Sequence, residues 1–104
     1  MQNIESLAGF RQKISELDHV LLLLHNPEDK VSKCAFRSVT EACFLSKKTQ
    51  VYVADTSQVK DLHVLGELKS VPSLLIFLKG KLVNTVDGCR DSEYIRAVMN
   101  KLEA

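Results

Sequence analysis

Val71-Pro72-Ser73-Leu74-Leu75-Ile76-Phe77-Leu78-Lys79-Gly80-Lys81-Leu82-Val83-Asn84-Thr85-Val86-Asp87 reads as a β-hairpin introduced by a proline. Ser73 to Leu78 is a short, almost continuous apolar run, the pattern of a strand buried on both faces. Gly80 permits a tight turn, and Lys81 to Asp87 alternates as a strand does. Two strands joined by the two-residue Lys79-Gly80 connection pair antiparallel, and the second becomes a sheet edge.

Upstream, Val20-Leu21-Leu22-Leu23-Leu24 is a second apolar run, too short for a free-standing helix and suited to the central strand of a sheet. Asn26-Pro27-Glu28-Asp29 then breaks the pattern, and Asp29 can accept from the unpaired N–H groups that open a helix. The following helix is expected from about Lys30 to Lys47, with Val31, Ala35, Val39 and Ala42 on one face. Gln50 to Asp55 has strand composition directly after that helix, which makes strand, helix and strand a parallel crossover.

The remaining segments complete the order. Ser6 to Leu17 has helical apolar spacing, Val59 to Leu65 can form a short helix, and Asp91 caps a last helix with Tyr94, Ile95, Val98, Met99 and Leu102 as its apolar stripe. Helices alternating with strands, a parallel pairing first and a closing hairpin last, imply an α/β fold with a mixed sheet between helices. Residues 1–104 are expected to form one domain, since this length closes a single core without staples.

Composition narrows the function classes. Fourteen basic against thirteen acidic side chains leave a net charge of +1, with no long block of either sign, so nothing favours a nucleic-acid partner. No apolar run approaches the roughly 20 residues of a membrane span, the first residues lack a signal-peptide pattern, and a cytoplasmic protein is expected. Cys34, Cys43 and Cys89 form an odd set without a close pair, so reduced thiols are expected. Cys34 and Cys43, nine residues apart on one helix, are about 13.5 Å apart along its axis and cannot bridge. His19, His25 and His63 are scattered, and neither a metal site nor a cofactor is expected.

Leu62 to Lys81, with its Val71-Pro72 step before an apolar strand and its Gly80 hairpin, resembles the distal half of thioredoxins, and Gly88 falls where they keep a glycine before the final helix. The resemblance extends over the whole chain through the element order and the Asp55-to-Pro72 spacing. It implies the thioredoxin fold: three layers α/β/α, a central mixed sheet, and a C-terminal hairpin followed by a helix. It also implies a cis Val71-Pro72 bond in a loop that holds extended partner segments, with Val71, Pro72, Gly88 and Cys89 lining the groove.

The same resemblance locates a loss. Thioredoxins carry Cys-x-x-Cys where helix two begins, and here Asp29-Lys30-Val31-Ser32 stands in that place. A two-residue shift would instead put Val31 and Cys34 there. Either way the dithiol is absent, and exchange of the family's kind needs one thiolate to attack and a second thiol to resolve. Leu23 and Val53 also stand where the family often has a buried acid and a lysine, and His25 where it has an aromatic. Ser32 gives a weaker resemblance to monothiol bacilliredoxin-like proteins with Cys-x-x-Ser.

The expectation is a redox-impaired module that binds a protein or an extended peptide, not a dithiol-disulfide oxidoreductase. The alternative is monothiol exchange at Cys34 or Cys89. Cys34 is read as a small buried hydrophobe or a surviving thiol, Cys43 as packing, and Cys89 as a turn residue or an exposed thiol beside the Pro72 loop.

Overall fold

The computed structural model describes residues 1–44, 48–61 and 71–103. Their order is β1 (Gln2–Asn3), α1 (Leu7–Ile14), β2 (His19–His25), α2 (Lys30–Cys43), β3 (Gln50–Asp55), β4 (Ser73–Leu78), β5 (Lys81–Asp87) and α3 (Ser92–Glu103). The five strands form one mixed sheet in the order β1-β3-β2-β4-β5. β3 runs parallel to both β1 and β2, whereas β4 runs antiparallel to β2 and β5. The fold is α/β.

The apolar run Val20–Leu24 is the middle strand, and its alternation divides the core. Val20, Leu22 and Leu24 face the cluster of Leu7, Phe10, Ile14, Tyr52, Leu75 and Phe77. Leu21 and Leu23 face that of Ala35, Val39, Ala42, Val53, Ile76, Ile95 and Met99. Both faces are therefore dry, as the continuous run implied. Phe10 anchors the first cluster edge-on against Tyr52 and Phe77, at 5.4 and 5.3 Å between ring centroids.

Lys79 and Gly80 take positive φ values of 51° and 82° at the hairpin turn, and a register shift lies between Ile76 and Phe77. Among the described residues no helix is long and apolar enough to cross a membrane.

Two helix boundaries and one face position differ from the periodicity. α1 is Leu7–Ile14, inside the expected Ser6 to Leu17, because Ser6 caps it by accepting from Gly9 N (3.1 Å) while the Asp61 carboxylate accepts from Leu7 N and Ala8 N (2.7 and 3.1 Å). α2 ends at Cys43, and its expected last residues, 45–47, lie outside the described residues, as does the expected short helix from Leu62 onward. Val31 does not join the apolar face of α2. It is 48% exposed, and Ser32 is buried instead, since its hydroxyl is needed at the turn below.

Candidate functional site

One end of the sheet gathers the turn from Asp29 to Ser32, Cys34, the Val71-Pro72 step, Gly88 and Cys89. The β2–β4 register ends at Leu24 opposite Ser73, and the β4–β5 register ends at Ser73 opposite Asp87. Beyond those pairs lie the start of α2, the Val71-Pro72 step and Gly88-Cys89. Parallel β2 and β3 have their carboxyl ends here, the edge at which open α/β sheets bind ligands.

The α2 terminus is a closed hydrogen-bonded unit. Asp29 is the N-cap in extended conformation (φ −89°, ψ 134°), and its Oδ2 accepts from Ser32 N at 2.9 Å. Ser32 is fully buried, and its Oγ accepts from Asn26 N at 3.1 Å. Asn26 Oδ1 accepts in turn from Glu28 N at 3.0 Å. Each side chain satisfies a backbone donor that the break after β2 and the first turn of α2 would leave unpaired. Asp29 and Ser32 thus stand at the cap and third helical positions, with exposed Lys30 and Val31 between them.

The Val71-Pro72 bond is cis. Pro72 is buried and its carbonyl accepts from Gly88 N at 2.9 Å, which continues the β4–β5 pairing one step past its last register pair. Gly88 has φ 74°, a left-handed conformation that glycine adopts at no steric cost. Ser73 Oγ donates to Asp87 Oδ1 at 3.0 Å and fixes the two strand ends together. Val71, 38% exposed, lies beyond the last paired residue of β4.

The cysteines differ from the expectation of reduced, separate thiols. Cys34 and Cys89, 55 residues apart in sequence, are joined in a disulfide with Cα atoms 5.7 Å apart. Cys34 is not a buried packing residue. The apolar face of α2 carries Ala35, Val39 and Ala42, whereas Cys34 projects from the exposed flank nearest the β5–α3 connection. In this state each of the two sulfurs is bonded to the other, and neither is a free thiol. Cys43 is free and packs partly against the α2–α3 cluster. Spacing along the chain does not show this pairing, because Cys34 and Cys89 meet only through tertiary structure; the resemblance sets both near one site, and that is the available signal.

His25 closes the other flank. Its ring stacks on Phe36 at 5.3 Å, and with Pro27 and Lys33 the two line a depression of about 250 Å³. Partial burial holds the imidazole below its ordinary value of 6.5, opposed in part by the Asp55 carboxylate. Asp55 itself is held low by hydrogen bonds from the Ser57 hydroxyl and backbone N–H, with His25 a smaller contributor.

For a base whose folded pKa is depressed, the unfolded chain binds the extra proton, so stability is present above pH 6.5 and declines as pH falls toward the folded value. The melting temperature is accordingly expected to fall between pH 7 and pH 5, and His25→Phe, which keeps the stacking, to flatten that slope. An unchanged slope in the variant would remove His25 as the cause.

No protein-family model and no curated protein sequence matches the chain. Solved structures do. A thioredoxin variant from Halobacterium salinarum NRC-1 superposes with TM-score 0.86 at 17% identity, over 99% of this chain and 90% of that one. Mitochondrial thioredoxin 3 of Saccharomyces cerevisiae in its oxidised form gives 0.84 at 14%, over 96% and 94%. Plasmodium falciparum thioredoxin gives 0.82 at 20%, over 99% and 97%. The chain has the thioredoxin fold.

Proposed function

We propose that this thioredoxin-fold chain is a binding module for an extended protein or peptide segment, and that it does not reduce protein disulfides by a thioredoxin's dithiol chemistry. The observation that carries the reading is the α2 terminus. Asp29 and Ser32, where the resemblance locates the two thiols, are committed to backbone hydrogen bonds that hold the turn. A carboxylate and a buried hydroxyl supply neither the attacking nor the resolving sulfur.

What remains suits recognition by main-chain hydrogen bonding. An extended segment laid beside Val71 would add to backbone already in strand-like register, with apolar contacts from Val71 and Val31 beside it. The hydrogen bonds of Gly88 to Pro72 and of Ser73 to Asp87, with the Cys34–Cys89 bond, hold the surrounding elements before any partner arrives. Such preorganisation lowers the entropy cost of binding.

The test is insulin reduction with dithiothreitol as electron source. The wild-type protein is expected to leave the rate at its uncatalysed level, and turnover comparable with a thioredoxin's would overturn the reading.

A further inference from the structure

We infer that the depression between His25, Pro27 and Phe36 docks an aromatic side chain of a partner protein, and that acidic residues flanking that side chain are held by Lys33 and its cationic neighbours on α2. This site lies across α2 from the Val71 groove and does not depend on the groove being used.

Its position follows from the helix. Ser32, Ala35, Val39 and Ala42 are buried and define the face of α2 that lies on the sheet. Phe36 leaves one side of that face and stacks on His25, which pairs in register with Asp55 of β3. Val31 and Ser38 leave the other side, where Ser38 Oγ lies 3.9 Å from Cys89 Sγ. The two flanks of α2 therefore present separate surfaces.

The shape admits one large side chain. The depression holds about 250 Å³, below the roughly 300–1,000 Å³ of sites that enclose a whole small molecule. The His25 and Phe36 rings lie 28° from parallel with centroids 5.3 Å apart, and Phe36 is 38% exposed. An incoming ring can meet them edge-on or offset, the arrangements that aromatic pairs favour. Exposed Pro27 adds a rigid apolar wall. The His25 carbonyl accepts from Thr56 N at 3.0 Å, so its side of the site is held in place before a partner arrives.

Charge selects the flanking residues. Lys33 stands at the rim, and Lys30, Phe36 and Arg37, three residues before and three and four after, are its neighbours on the helix surface. The three cations are exposed, and residues 30–40 contain no acidic side chain. Asp29 is taken up in capping Ser32 N and Asp55 in accepting from Ser57, while Glu41 lies eight residues beyond Lys33. Glu28, exposed in the turn beside Pro27, leaves the cations in excess. Carboxylates on either side of a docked aromatic residue meet this face with complementary charge, and a basic segment is repelled.

The experiment titrates the oxidised full-length chain with three blocked synthetic peptides of equal length and follows amide chemical shifts. The first carries one phenylalanine between pairs of glutamates, the second has alanine in place of the phenylalanine, and the third has lysines in place of the glutamates. The first is expected to perturb His25, Lys33 and Phe36 and to bind about tenfold tighter than either of the others, with its lead over the lysine peptide narrowing at high salt. Phe36→Ala should remove the preference for phenylalanine, and Lys33→Glu the preference for glutamate. Both positions are exposed, and an unchanged melting temperature shows that each variant is folded. Shifts confined to Val71, Gly88 and Cys89 would overturn the inference and leave the groove standing. Affinities indifferent to the phenylalanine or to the charge, or no binding of the first peptide at millimolar concentration, would overturn it as well.

Discussion

Replacing Asp29 and Ser32 together by cysteine is expected to raise insulin reduction at least tenfold above the wild-type chain. Asp29 is the N-cap of a 14-residue helix, so a thiolate there meets unpaired N–H groups and the positive end of the helix dipole. Ser32 is fully buried one turn on, where a cysteine would be shielded until the first had formed a mixed disulfide.

The gain should stop short of a thioredoxin's rate. Leu23, wholly buried, offers no acid for proton transfer, and loss of the Ser32 hydroxyl leaves Asn26 N without its partner at a cost of roughly 1–3 kcal/mol. The pair Cys34→Ser and Cys89→Ser is best made in the same chain to prevent shuffling. A folded variant with no gain would mean that the helix start does not hold the position the resemblance gives it.

Removing the Cys34–Cys89 bond by Cys34→Ser with Cys89→Ser is expected to cost about 4 kcal/mol, or a fall in melting temperature of roughly 15–20 °C. The bond closes a loop across a sequence separation of 55, and the entropy that it removes from the unfolded chain grows with loop length. Reduced wild-type protein should melt with the double variant, since both lack the same constraint. A loss under about 1 kcal/mol would show that α2, α3 and the sheet keep their places without it.

Much of this fold is written in local pattern. The runs Val20–Leu24 and Leu74–Phe77 are apolar throughout because both faces of their strands are covered, and Lys79-Gly80 sets the hairpin directly. β1 had no such signal. Gln2 and Asn3 are exposed polar residues that become a strand only because Tyr52 and Val53 offer an edge. The start of α1 is held by Asp61, 54 residues away from Leu7, which no periodicity contains.

The site was half legible for the same reason. Asp29 as a cap follows from local chemistry, whereas Ser32 replaces Val31 on the buried side because Asn26 N needs an acceptor after the chain turns out of β2. The Cys34–Cys89 bond depends on how α2 lies against the β5–α3 connection, and spacing along the chain carries none of that.

The most direct measurement of the central claim is amide chemical-shift mapping of the oxidised protein with peptides selected from a randomised ten-residue array. Bound peptides are expected to perturb Val71, Gly88, Cys89 and the first turn of α2. Perturbations confined to the Lys81–Asp87 edge, or an array from which no peptide binds, would contradict it.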